Sequence, residues 1–244
     1  MADNETAFKI PFVKKEQVAL DTYTFYFERS DVSRDFVAGQ YFEIKLRIKN
    51  TDERGDTNVF SMSSSPTEKD YYAVTTKVVK SSFKKSLLKL KEGTLVQFNG
   101  PWDDLNFNEN DDLRQVFMAG GIGITPFRSI VKYAIDKKLD LPITLFASWG
   151  SKEEMVFDEF FRSAEKKLKD FRYVPTVTYS DDLKGWDGET GRISERLVKK
   201  YIKKVRNNRF RISGPVPLVK AMRELAVQMN VPKDNIIVEE FEGY

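Results

Sequence analysis

The 244-residue chain contains no cysteine and no histidine. The first absence excludes disulfides, a thiol nucleophile and a thiolate-held iron–sulfur cluster within the chain. The second excludes a Ser–His–Asp triad and the usual zinc sites, and no metal site is expected. An enzyme built from the remaining residue types would draw its difficult chemistry from a bound organic cofactor. Charge of one sign is also scarce. Forty Lys and Arg against 37 Asp and Glu leave +3, which does not argue for a nucleic-acid partner. No apolar run approaches the roughly 20 residues that span a bilayer, so no membrane partner is expected. The opening MADNETAFKI lacks the basic-then-apolar pattern of a signal peptide, and a cytoplasmic location is expected.

What is present divides in two. From Ala7 to about Gly100 the apolar residues recur with period two: Phe8-Ile10-Phe12, Tyr23-Phe25-Phe27, Tyr41 to Leu46, Val74 to Val79 and Leu95 to Phe98. Gly39, Pro66, Gly93 and Gly100-Pro101 punctuate these runs, and one helical stretch, Phe83 to Lys91, interrupts them. Short strands with turn signals predict an antiparallel barrel or sandwich. After the acidic stretch Asn106 to Asp112, strand-like and helix-like runs alternate: Gln115–Ala119, a helix from Pro126, Ile143–Ser148, Glu154–Leu168, Tyr173–Thr178, Ser194–Val205, Phe210–Ser213, Pro217–Met229 and Ile236–Glu239. Five strands and four helices in a βαβ rhythm predict a parallel sheet covered on both faces. The expected division is 1–108 and 109–244.

The stretch QVFMAGGIGITPFRSIVK, Gln115 to Lys132, joins an apolar strand to a helix through Gly120, Gly121 and Gly123. Thr125 is placed to cap the helix and Pro126 suits its first position. Phe127, Ile130, Val131 and Ala134 give that helix one apolar face. A glycine turn opening a helix presents backbone N–H groups and a positive dipole end, which suits a diphosphate. It equally suits an ordinary strand-to-helix turn, and its spacing is not G-x-G-x-x-G. In NVFSMSSSP, Asn58 to Pro66, Ser61 and Ser63 offer hydroxyls and Phe60 an aromatic face; alone this also reads as a serine-rich strand end. In TTKVVKSSFKKSLLKL, Ser81 or Ser82 caps a helix whose first N–H groups, at Ser82, Phe83 and Lys84, can hold phosphate, or it is simply a capped helix on a barrel.

A barrel followed by an α/β domain opening on GGIGITP resembles the ferredoxin–NADP reductase family of flavoproteins. Phe36 to Phe42 resembles the family's approach to its flavin strand, NVFSMSSSP its R-x-Y-S-x-x-S-x-P motif, Ser213-Gly214-Pro215 its Cys-Gly-Pro, and the ending EEFEGY its acidic-aromatic terminus. The resemblance covers nearly the whole chain. It implies an FAD site, with FMN as the alternative, that uses Asn58, Phe60, Ser61, Met62, Ser63, Thr75, Thr76, Lys77, Ser81, Ser82, Phe83 and Lys84. It implies a nicotinamide dinucleotide (NADH or NADPH) at Gly120, Gly121, Ile122, Gly123, Thr125, Pro126, Ser148, Ser180, Ser213, Gly214 and Pro215. Phe241 would belong to the cofactor site, Tyr244 would stack on the flavin or end a frayed surface tail, and Ser61, Ser213 and Glu239 would be the catalytic set.

Two positions depart from the family motif. Asn58 stands where the family has the arginine that meets the cofactor diphosphate, and Phe60 where it has tyrosine. A neutral amide binds phosphate less strongly than a guanidinium, and Arg54 or Lys77 can substitute. Ser180-Asp181-Asp182 stands where NADPH-using relatives often have Ser-Arg, which favours NADH unless Lys152 or Lys184 overturns it. The implied activity is hydride transfer from NAD(P)H to bound flavin, then electron transfer to a separate acceptor such as a ferredoxin, a flavodoxin or an oxygenase component. The alternatives are a free-flavin or ferric reductase using flavin as substrate, and a non-enzymatic flavin- or nucleotide-binding regulatory subunit.

Overall fold

A computed structural model describes residues 7–78, 81–179 and 184–241. The first half is six antiparallel strands, β1 (Phe8–Ala19), β2 (Thr22–Glu28), β3 (Tyr41–Lys45), β4 (Thr57–Ser61), β5 (Tyr71–Lys77) and β6 (Leu95–Trp102), with helix α1 (Ser82–Leu88) between the last two. They run in the order β4-β3-β6-β1-β2-β5. Met62 bridges Val74, so the two edge strands meet and the sheet closes into a barrel. Alternation explains the interior: Phe8, Ile10 and Phe12 of β1 point inward with Phe25, Phe27, Phe42, Tyr72 and Phe98. These rings meet mostly edge to face, as at Phe27–Phe98, with centroids 5.0 Å apart and planes at 75°.

The second half comprises β7 (Arg114–Gly120), α2 (Thr125–Lys137), β8 (Ile143–Trp149), α3 (Asp158–Lys167), β9 (Phe171–Val177), β10 (Glu189–Thr190), α4 (Glu195–Tyr201), β11 (Asn208–Pro215), α5 (Val216–Gln228) and β12 (Ile236–Phe241). The parallel sheet runs β10-β9-β8-β7-β11-β12. It has one strand more than the expected five: β10 is two residues long and carries no periodicity to read. Phe117 and Ala119 of β7 face α2 and α3, and Val116 and Met118 face α4 and α5, so the sheet is buried on both sides. Strand order reverses at β7, which opens a crevice at the carboxyl ends of β7 and β11.

Some helix starts differ from expectation. Thr125 does not cap α2: a short 3₁₀ turn, Gly121–Ile124, precedes the helix, and the Thr125 hydroxyl donates to the Ile122 carbonyl at 3.0 Å. Glu154 ends a separate 3₁₀ turn, and α3 begins only after Phe157, whose φ of +61° breaks the run. Ser81 caps α1, accepting from the Lys84 N–H.

Candidate flavin and dinucleotide site between the domains

A cavity of about 520 Å³ lies outside the barrel's aromatic core, between barrel and sheet. Glu43, Thr57 to Ser61, Thr75, Thr76 and Lys84 form its barrel wall, and Ile122, Thr125, Glu240 and Phe241 face them from the second domain. Closure of the barrel positions the first wall. The Ser63 hydroxyl donates to the Ala73 carbonyl at 3.0 Å and lies 2.9 Å from the Thr75 hydroxyl, which fixes β4 against β5. Phe60 is held against Phe83 of α1, ring centroids 5.8 Å apart. The lining is consistent with a flavin dinucleotide: hydroxyls at Ser61, Thr75 and Thr76, an aromatic ring at Phe60, and a cation at Lys84.

At the domain seam Glu239 of β12 lies level with Ser213 of β11 in the parallel register. Ser61 Oγ donates to Glu239 Oε1 at 2.7 Å and Ser213 Oγ donates to Oε2 at 2.8 Å. All three side chains are buried. Burial pushes the Glu239 carboxyl up to about 7; the two serine hydroxyls pull it down, and Asp104 and Asp103 push it further up. Such a group can hold or release a proton at neutral pH.

The glycine turn abuts the same seam. A Cβ on Gly123 would lie 2.2 Å from the Ser213 carbonyl oxygen, so only glycine lets the turn pack against the Ser213-Gly214-Pro215 end of β11. Gly121 has φ +51°, and a Cβ there would meet nothing within 4 Å. Helix α2 reaches back to the loop after β4: Arg128 donates to the Ser63 carbonyl at 2.8 Å and forks onto Glu68, while the Ser129 hydroxyl donates to the Ser64 carbonyl at 2.7 Å.

The structure thus brings together Ser61, Ser213 and Glu239, and places Asn58, Phe60, Thr75, Thr76, Lys84, Ile122, Thr125 and Phe241 around one cavity. Other expected residues lie elsewhere. Met62 is in the barrel core and Ser63 is engaged in barrel closure. Lys77 pairs with Glu154 at 2.8 Å, and Arg54 with Asp52 at 3.1 Å. The Ser82 N–H, expected to meet phosphate, donates to the Asp52 carboxylate at 2.8 Å. Phe83 packs inward and Ser81 caps its helix. Gly120, buried at the end of β7, is paired with Ser148 at the end of β8; Pro126 is buried in the first turn of α2. Ser180 and Tyr244, with Asp181 and Asp182, lie outside the described residues. Sequence reasoning passed over Glu43, although its place between inward-facing Phe42 and Ile44 puts it on the barrel's outer face. Arg128 and Ser129 carried no local signal, since their partners stand 60 or more residues away.

Residues 117–224 match the family model described as the oxidoreductase NAD-binding domain. Flavohemoprotein A of Dictyostelium discoideum is 26% identical over 243 residues, covering 93% of this chain and 58% of that protein. The reductase component DmpP of phenol 2-monooxygenase from Pseudomonas sp. (strain CF600) is 23% identical over 208 residues, covering 84% of this chain and 58% of that protein. A crystal structure of a ferredoxin NADP+ reductase from Neisseria gonorrhoeae with bound FAD and NADP superposes with a TM-score of 0.81 at 18% identity, covering 96% of this chain and 98% of that one. The chain therefore spans a little over half the length of these two curated relatives. Fold and site define a two-domain protein with a nucleotide-sized cavity at the domain seam. Residues 117–224 of the second domain match the oxidoreductase NAD-binding model, and the chain as a whole has the fold of the ferredoxin NADP+ reductase on which it superposes.

Proposed function

We propose that this chain is a flavin-dependent oxidoreductase that takes hydride from NADH or NADPH and passes electrons to a separate acceptor. The observation that carries this reading is the Ser61–Glu239–Ser213 bridge, which joins the barrel cavity to the carboxyl end of β11. A bound flavin would supply the step from two-electron to one-electron chemistry. The chain's own residues do the rest. Phe60, Thr75 and Thr76 line the flavin's cavity, and the turn at Gly121 to Thr125 presents backbone to a dinucleotide phosphate. The buried Glu239 holds a proton near neutrality at a hydroxyl that faces the cavity, Ser61. The known natures of the relatives support the reading: one is a monooxygenase reductase component, and one neighbour carries FAD and NADP.

In this reading flavin is held mainly by the segment before residue 108 and the nicotinamide dinucleotide by the segment after it. The acceptor is a protein or small molecule outside the chain. No described helix is long and apolar enough to cross a membrane; a cytoplasmic location, where reduced nicotinamide is regenerated, belongs to the proposal. Asn58 favours a second reading, in which flavin is a diffusible substrate. The absorbance spectrum of the purified chain separates them. A flavin band that survives gel filtration and bleaches on adding NADH or NADPH without air supports the first; a colourless chain that reduces added flavin supports the second. No bleaching and no turnover would overturn both.

A further inference from the structure

The structure assigns a second interaction surface to the pole of the parallel sheet opposite the cofactor site: a basic groove that docks an acidic segment of a partner protein. The groove, about 680 Å³, is lined by Arg114 at the start of β7, Lys169 and Arg172 at the start of β9, Lys200 in the last turn of α4, and Lys203 and Lys204 just beyond it. Lys200 pairs with Glu189, and Arg172 lies 3.9 Å from Glu165. Among the described residues, Arg114, Lys169, Lys203 and Lys204 make no ion pair, and Asp170 is the one acidic residue in the lining. Three stretches far apart in the sequence therefore deliver like charges to one concavity. Such charges repel one another and lower stability, and an anionic partner relieves that repulsion.

The walls of the groove choose among anionic partners. Its apolar residues, Phe171 and Ile202, are 5% and 3% exposed, so no apolar side chain is offered to a lipid surface. The Tyr201 ring packs edge-on against Phe146 and lies under the Lys200 ammonium, with its hydroxyl bonded to Glu189, which leaves no platform for a nucleic-acid base. Lysines outnumber arginines four to two in the lining. Flexible point charges suit carboxylates spaced along an extended segment better than one compact phosphate, which a guanidinium fork would hold. The groove opens at the amino end of β7, a strand of seven residues. At roughly 3.3 Å per residue it lies about 20 Å from the cavity at the other end. A partner seated there leaves the flavin and dinucleotide site uncovered.

The test is fluorescence anisotropy of a short labelled oligoglutamate peptide titrated with the full chain at low and at physiological salt. The parent should bind the peptide, more weakly as salt rises. Combining Lys169→Gln, Lys203→Gln and Lys204→Gln should weaken binding about tenfold or more. A control that combines Lys69→Gln, Lys89→Gln and Lys91→Gln, at exposed lysines of the barrel half, removes the same net charge and should change binding by less than about twofold. Equal weakening in the two triple variants would show a response to net charge alone and overturn the inference, as would a parent that does not bind the peptide at low salt. Relief of repulsion should leave the groove variant melting at or above the parent's temperature. A groove variant that melts lower, or does not fold, would show that these lysines serve the fold and overturn it too. Tripolyphosphate and duplex RNA, at equal charge concentration, should displace the labelled peptide less well than unlabelled oligoglutamate. The reverse order would make the groove a phosphate site and overturn the assignment to an acidic protein.

Discussion

At Glu239 the buried carboxyl meets two serine hydroxyls and, among the described residues, no cation within hydrogen-bonding distance, which sets both its chemistry and its effect on stability. The folded chain holds this proton more tightly than the unfolded chain, at about 7 against the ordinary carboxyl value of 4.5. Stability should therefore fall as pH rises through that interval, by roughly 3 kcal/mol from this group, and the penalty is fully present above pH 7. In Glu239→Gln the shape and most hydrogen bonds remain and the titration is gone. Melting temperatures measured from pH 5 to 8 should decline less in the variant; parallel curves would show that the dependence comes from another group. The glycines of the turn separate in the same way. Gly123→Ala should cost about 1–3 kcal/mol through collision with the Ser213 carbonyl. Gly121→Val collides with nothing but must hold φ +51°, which a β-branched side chain resists, so it should distort the turn and weaken NADH and NADPH binding while the flavin spectrum stays unchanged. Unaltered affinity for both nucleotides in a folded Gly121→Val would remove the turn from the dinucleotide site. Residue types at these positions were legible in the sequence, because glycine, serine and a late glutamate stand in motif order. The open space at Gly121 and the contact at Gly123 were not, since they depend on a strand 90 residues further on.

Among the elements, α2 does more than close a βα unit. Its apolar face was legible, since Phe127, Ile130, Val131 and Ala134 repeat at helical spacing and are buried as that spacing requires. Its polar residues Arg128 and Ser129 would be solvated on that pattern, yet they fasten the loop after β4. Arg128 also lies over the Phe160 ring, 5.1 Å from its centroid. Removing it by Arg128→Ala should cost about 1.5–3 kcal/mol, the scale of hydrogen bonds to charged groups. Urea unfolding measures this, and a double-mutant cycle with Glu68→Ala should show a coupling above about 0.5 kcal/mol. Additivity of the two would mean the fork contributes little and the Ser63 carbonyl contact carries the effect. The strand count illustrates the opposite limit. Long strands such as β1 and β7 announce themselves by periodicity, whereas β10 exists only because Glu189 and Thr190 run beside Thr176 and Val177.

For the whole molecule, the shift from period two to a βαβ rhythm announces two architectures in the sequence, but not how the linker between them packs. Leu105 and Phe107, before the expected division at 108, are buried in the same core as Phe117 and Phe127. Arg211 of β11, 1% exposed, donates to the Leu105 carbonyl at 2.8 Å and the Asn106 carbonyl at 2.7 Å. The acidic, asparagine-rich composition of that stretch suggests a solvated linker, and the buried guanidinium that holds it lies about 100 residues away. The isolated segment 112–244 should therefore be much less stable than 103–244. It loses two buried apolar side chains, each contributing about 1.5–3 kcal/mol, and leaves a buried guanidinium short of acceptors. Thermal melts of the two segments compare them directly, and equal midpoints would show that the linker belongs to neither core. Neither segment should bind flavin, because Glu43, Asn58 to Ser61, Thr75, Thr76 and Lys84 all precede residue 103. The intact chain should unfold in one transition, since Ser61–Glu239, Ser64–Ser129 and Lys77–Glu154 tie barrel to sheet and a barrel residue, Ala38, sits in the second core. Two resolved calorimetric peaks would mean that these ties are weaker than either domain's own core.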